Sequence, residues 1–285
     1  MQQSDAGKPV AVHTGKVPVF RILGRNPGAM TGPGTNSYLI GDQTLCLLDP
    51  GPRDELQLGN FLAAIGSRRL AYILVTHTHG DHSPGALALQ AATGAELVGL
   101  PAPIPQGHDT TFKPARQRHH GDLIDCGEYV VRLVHTPGHV SNHICYLLEA
   151  DGLLFTGDHV LQGTTSVILP PDGDMGDYLA SLRELQSLPL RAFAPGHGAI
   201  MTEPQQELSA LIAHRLRREE KVLRCLQAHG PCTLESLVMT VYDDVASHLL
   251  PWAQKTLLAH LLKLQRERRA ELGAGVWSVV TGAAT

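Results

Sequence analysis

The sequence predicts an α/β protein with sheet layers packed between helices, followed by a small domain of winged-helix order. Short apolar runs bounded by Gly, Pro, Asp and Asn dominate the first 160 residues, as strands should. Helical periodicities interleave with them, the alternation of an α/β arrangement. From about Gln205 the texture changes to a Leu-rich helical spacing that ends in two strand-like runs around Gly273-Ala274-Gly275.

The predicted strands cover residues 19–23, 36–40, 44–48, 70–76, 129–135, 144–148, 153–155 and 191–193. Helices are predicted over 53–65, over 84–92 with Pro84 in the first turn, and over 176–188. In the tail, Leu208, Leu211, Ile212, Leu216, Val222, Leu223 and Leu226 recur at helical spacing until Gly230-Pro231 stops them. Two more helices follow over 234–241 and 252–269, then strands over 270–273 and 276–280. Three helices and a hairpin are the order of a winged helix. The chain is therefore expected to divide into a domain of residues 1–204 and a domain of residues 205–285.

Composition narrows the function classes. A hydrophobic fraction of 43% with 18% charged residues fits a folded globular chain rather than a disordered or fibrous one. No apolar run approaches the ~20 residues that span a bilayer. Residues 1–16 are polar, Gly7 and Pro9 interrupt them, and no Arg precedes Arg21, so neither a signal nor a transit peptide is read. The expectation is a cytoplasmic protein without membrane contact. A net charge of −4 argues against a protein that coats nucleic acid, although residues 205–285 carry 10 basic against 8 acidic side chains. Five cysteines, odd in number and without a CxxC pair, argue against a disulfide framework or a cysteine zinc site.

Sixteen histidines are the unusual feature, and their spacing is informative. Thr76-His77-Thr78-His79-Gly80-Asp81-His82 follows an apolar strand and precedes a helix, so four candidate metal ligands share one turn. Imidazole and carboxylate suit borderline cations such as zinc. Three further turns after predicted strands bring Pro137-Gly138-His139, Thr156-Gly157-Asp158 and Ala194-Pro195-Gly196-His197. Four strand ends that each deliver a ligand describe a preorganised metal site.

These residues resemble the metallo-β-lactamase fold superfamily, whose HxHxDH motif is matched in full by His77, His79, Asp81 and His82. The tail and the segment Met30-Thr31-Gly32-Pro33-Gly34-Thr35-Asn36 resemble more narrowly the group called β-lactamase-like protein 2. The resemblance implies an αββα sandwich with a C-terminal winged-helix-like domain and two zinc ions per chain. His77, His79 and His139 would hold one zinc, Asp81, His82 and His197 the other, and Asp158 would bridge them. Asp81 would also orient the nucleophile. The activity implied is a metal-dependent hydrolase, as an endoribonuclease on single-stranded RNA. The alternative is a hydrolase of small esters, thioesters or lactones, which the acidic body favours. True β-lactamases of the superfamily carry Cys or Ser where Asp158 stands, so lactam hydrolysis is at most a side reaction.

Around this set, His143 is expected beside the ligands or in the core, and His159 is read as pointing elsewhere. His108, His119 and His120 are expected on a surface loop, and His214, His229, His248 and His260 on a solvated tail. Thr35 and Asn36 are read either as substrate contacts or as a hairpin turn, and Thr164, Thr165 and Ser166 as hydroxyl donors. Arg215, Arg217, Arg218, Lys221, Arg224, Lys263, Arg266, Arg268 and Arg269 are the cations for RNA phosphates. Interleaved Glu219, Glu220, Glu267 and Glu271 read instead as a solvated helix face. The wing would otherwise shape the substrate cleft or support a homodimer.

Overall fold

The structure is a computed structural model that describes residues 5–280. Eleven strands form two sheets. The first has the order β1 (Pro9–His13), β2 (Val19–Leu23), β3 (Asn36–Ile40), β4 (Thr44–Leu48), β5 (Arg69–Leu74) and β6 (Glu96–Val98). The second has the order β11 (Ala192–Pro195), β10 (Leu153–Gly157), β9 (Ile144–Leu148), β8 (Val130–His135) and β7 (Leu123–Asp125). Helices α1 (Glu55–Ile65) and α2 (Ala86–Thr93) connect strands of the first sheet. This is the α/β sandwich with mixed sheets that the sequence predicts, followed by a winged helix.

Strands β3 and β4 carry the unbroken apolar runs 38–40 and 45–48 because both faces of the first sheet are covered there. Tyr38, Ile40, Cys46 and Leu48 point into the core shared with Leu133, Tyr146 and Phe155 of the second sheet. Leu39, Leu45 and Leu47 point the other way, against Phe61 and Ile65 of α1 and Leu89 of α2. The pairing of Tyr38 with Leu48 and of Leu39 with Leu47 keeps each set on one face. The strands β1, β6 and β7 were not predicted. The first is an exposed edge opened by Pro9, and the other two are three residues each, too short to show a period.

The chain gathers into two compact units. The first runs through Thr136 and includes Asn142–Ser166 and Ser187–Gln205; it contains both sheets. The second joins Pro137–Ser141 and Val167–Gln186 to the chain from Gln206 onward. It holds α3 (Met175–Gln186), most of α4 (Pro204–His229), α5 (Leu234–Val241), α6 (Leu250–Arg266) and the ribbon of β12 (Ala270–Gly273) and β13 (Val276–Val279). Val222, Leu226, Leu237, Val241, Leu257, Leu261, Leu264 and Trp277 form its core.

The tail differs from the sequence expectation in two respects. His260 is fully buried rather than solvated, because its position on α6 faces the same interior as Leu257, Leu261 and Leu264. Most of the cations assigned to RNA are also engaged within this unit. Arg218 makes a bidentate pair with Asp244 at 2.8 and 2.9 Å, and Lys221 pairs with Asp243. Lys263 lies 2.8 Å from Glu219, and Arg269 reaches Glu219 at 3.1 Å. Arg266 pairs with Asp174, and buried Arg215 stacks on Tyr178.

Glu219 makes the tail acid-sensitive. Burial opposes its charge, but the His260 ring and the Lys263 ammonium outweigh that and lower its pKa from 4.5 to about 2. A depressed carboxylate pKa adds stability above the unfolded value, and that stability is lost as pH falls through the folded one. Both tryptophans, Trp252 and Trp277, lie in this unit, so their fluorescence reports it selectively. The expected result is a denaturation midpoint that declines as the pH is lowered from about 5 towards 2. Glu219→Gln should flatten that dependence, and an equally steep decline in the variant would count against it.

Candidate metal centre

The site grows from the turn after β5. Thr76 donates its backbone N–H to Asp49 Oδ1 and its hydroxyl to Asp49 Oδ2, both at 2.8 Å. The next residues fold back on themselves: His82 N–H donates to the His79 carbonyl at 3.0 Å. The Thr76 carbonyl accepts from Ile144 N–H and the Thr78 carbonyl from Asp109 N–H. The turn is thus tied down on several sides, and its side chains converge because it is not a strand. Within the second sheet β8, β10 and β11 run in one direction, so the turns carrying His139, Asp158 and His197 leave from one edge.

Two groups of donors result. Asp81, His82, Asp158 and His197 bring one donor atom each within 4.8 Å of one another. His82 Nε2 lies 3.3 Å from Asp158 Oδ1 and 3.6 Å from Asp81 Oδ2. His197 Nε2 lies 3.3 Å from Asp81 Oδ2 and 3.4 Å from Asp158 Oδ1. His77, His79 and His139 form the second group within the same limit, with His77 Nε2 3.0 Å from His79 Nδ1. All seven residues singled out in the sequence fall in one group or the other.

The protonation pattern tests whether these groups suit a cation. His82 Nδ1 donates to Asp49 Oδ2 at 2.9 Å, and His139 Nδ1 donates to the Val167 carbonyl at 2.6 Å. His197 Nδ1 faces the Gly34 carbonyl at 3.4 Å. Each of these acceptors lacks a proton to give, so each ring keeps its hydrogen on Nδ1 and directs an Nε2 lone pair into the site. His82 Nε2 is completely buried yet makes no hydrogen bond, and it faces carboxylate oxygens. A lone pair and carboxylates converging on one point need positive charge between them, and a metal ion would supply it. The seven donors fit a dinuclear metal site.

The electrostatics agree. Burial disfavours a charged His82, but Asp158, Asp81 and Asp49 overcome it and raise its pKa well above the ordinary value. His197 is shifted upward in the same way by Asp158 and Asp81. Burial would raise the Asp81 pKa, but His82 and His197 lower it to about 2, so this carboxylate is anionic at neutral pH. Gly196 makes the crowding feasible: a Cβ there would stand 2.8 Å from His82 Cε1 and 2.9 Å from Asp158 Oδ1.

Several neighbours take roles that the sequence left open or assigned differently. His143 accepts a hydrogen bond from the Asp158 backbone N–H at 3.2 Å and bonds Thr136 through its other nitrogen, so it stands behind Asp158. Asn36 is not a substrate contact. Its side-chain amide donates to the Pro195 and Gly198 carbonyls, and the residue is buried, so it holds the His197 turn. Thr35 is likewise buried and accepts from Asn26 at 2.9 Å. His108 is not a loose surface residue: its ring lies 5.0 Å from that of His79, and its Nδ1 bonds Thr78 Oγ1. Asp49 escaped sequence reasoning. Its only sequence signal is an acidic residue between an apolar strand and Pro50-Gly51, which also reads as an ordinary turn.

Comparison with known proteins agrees with this geometry. The metallo-beta-lactamase superfamily profile matches residues 30–197, more than half of the chain, and spans all seven candidate residues. The chain belongs to the metallo-beta-lactamase superfamily. It is accordingly an enzyme of the hydrolase class. The beta-lactamase associated winged helix domain matches residues 233–277. Among curated superfamily members, a lactamase-like protein of Trichophyton rubrum is 32% identical over 88% of this chain and 80% of its own length. An atrochrysone carboxyl ACP thioesterase of Aspergillus fumigatus is 33% identical over 88% of this chain and 82% of its own. The fold also matches a crystal structure of a beta-lactamase domain protein from Burkholderia ambifaria. That match has a TM-score of 0.79 at 22% identity and covers 96% of this chain and 94% of the other. No helix among the described residues is long and apolar enough to cross a membrane.

Proposed function

We propose that this superfamily member is a dinuclear zinc hydrolase of acyl thioesters. His77, His79 and His139 would hold one ion and Asp81, His82 and His197 the other, with Asp158 as a further carboxylate ligand. The observation that supports the substrate class is the relationship to a protein named as a carrier-protein thioesterase, which extends over 88% of the chain. When bound, a pair of zinc ions polarises the substrate carbonyl and activates water at neutral pH.

The chain's own residues do the rest. Asp81, with 29% of its side chain exposed, is more accessible than His82, Asp158 or His197, and its low pKa makes it a hydrogen-bond acceptor rather than a proton store. It orients the attacking water towards the acyl carbon. Water adds its oxygen to that carbon, the carbon–sulfur bond breaks, and a carboxylic acid and a thiol are released. A thiol leaves as a thiolate of pKa ~8.5, so the reaction does not depend on a strong general acid. Asp49, Asn36 and His143 act behind the site by fixing His82, the His197 turn and the Asp158 backbone.

The RNA reading, implied by the family resemblance and joined to the tail cations, is displaced: the relatives found include carrier-protein thioesterases, and Arg215, Arg218, Lys221, Lys263, Arg266 and Arg269 are engaged internally. The test compares acyl thioesters of coenzyme A and of a phosphopantetheine carrier with labelled single-stranded RNA, with and without chelator. Chelator-sensitive thioester hydrolysis and intact RNA are the expected outcome. RNA cleavage without thioester turnover would refute the proposal.

A further inference from the structure

The turn that carries His139 is bonded at several points to residues of its own helical unit. The Gly138 carbonyl accepts from Asp174 N–H at 2.8 Å, and Ser181 Oγ donates to the Pro137 carbonyl at 2.8 Å. The Val167 carbonyl accepts from His139 Nδ1, and Asp172 Oδ2 accepts from Ser141 N–H at 3.3 Å. Gly138 has a φ of 142°, and a Cβ on it would lie 2.3 Å from Tyr178 Cα, so the turn sits directly on α3. Helix α3 is in turn fixed from the tail at two points. The buried guanidinium of Arg215, on α4, stands 5.3 Å from the Tyr178 ring centre. Arg266, at the end of α6, pairs with Asp174, whose Oδ1 accepts from Asp177 N–H and caps α3.

We infer that Arg215 and Arg266 are positioning residues for the metal group that contains His139. Resting on the metal reading above, this assigns the two arginines a role in holding one of the candidate ligands. Through α3 the two arginines fix the turn that carries His139, so they stabilise the placement of this one ligand. Arg266 is more than half exposed, so its ion pair alone contributes modestly. Arg215 is buried, and its stacking adds to packing that a lysine could not reproduce. His139 contributes to only one of the two donor groups, so the effect should be selective.

The experiment is a stepwise zinc titration of the metal-free full chain against a chromophoric chelator. The proteins are wild type, Arg215→Met, Arg266→Ala, their double variant and Arg266→Lys. In the double variant one zinc equivalent should weaken about tenfold, the lower end of the range for groups behind a ligand, while the other keeps wild-type affinity. Arg266→Lys should sit close to wild type. Wild-type affinity at both positions in the double variant would overturn the inference, as would equal weakening of both. Should the double variant not fold, Arg266→Ala, altered at an exposed side chain, carries the test with a smaller selective loss. A wild-type chain that binds no zinc pair would instead overturn the metal reading and this inference with it.

Discussion

Asp158→Ala is expected to cost thioester turnover on the order of 10²–10³-fold, the scale for a group that stabilises charge in a reacting site. Metal content should fall below the full pair, while the protein still folds. The carboxylate is the largest charge that raises the His82 and His197 pKa values, and its Oδ1 lies 3.3 and 3.4 Å from their Nε2 atoms. Its removal deprives the site of its central anion. The fold should tolerate the change because β10 is anchored by Leu153, Leu154 and Phe155, all fully buried, and not by this side chain. The bond from the Asp158 backbone N–H to His143 Nε2 does not use the Asp158 side chain and survives the substitution. Elemental analysis together with circular dichroism checks the prediction. A folded variant with a full metal complement and wild-type turnover would remove Asp158 from the site.

Much of this was legible in the sequence for a physical reason. Metal chemistry restricts residue types severely, and tight turns after apolar strands leave their own marks. His77, His79, Asp81, His82, His139, Asp158 and His197 therefore stand out individually, and the structure gathers all of them. The supports are less visible because their side chains act largely on groups far away in the sequence, many of them backbone groups that any residue possesses. Asn36 looks like a hairpin residue until its amide is seen on the carbonyls of Pro195 and Gly198, some 160 positions away. The basic tail misled for a related reason. Helical spacing placed Arg218 and Lys221 on α4, but their partners Asp243 and Asp244 lie beyond α5, where no periodicity links them. Substrate class was least legible, since the same ligand set serves several leaving groups.

Asp49 should prove the most sensitive residue outside the ligand set, and two substitutions separate its roles. It is fully buried, holds a left-handed φ of 48°, and accepts from Thr76 N–H, Thr76 Oγ1 and His82 Nδ1. Asp49→Ala strands these buried donors, each costing about 1–3 kcal/mol when unpaired, so a loss of several kcal/mol in stability is expected. Asp49→Asn keeps the shape and one acceptor oxygen. Its amide oxygen can serve Thr76 N–H, and its NH₂ can donate to the Thr76 hydroxyl. That NH₂ then opposes the Nδ1 hydrogen of His82 and favours the other tautomer, with the hydrogen on Nε2. The lone pair directed at the metal position is lost in that tautomer. Asparagine should therefore be the milder change for stability, yet still weaken metal binding by about 10–100-fold. Thermal melts of the metal-free proteins measure the first effect and chelator-competition titrations the second. An Asp49→Asn protein that binds metal as wild type does would show that His82 keeps its tautomer without Asp49, and the role of Asp49 in fixing that tautomer would have to be given up.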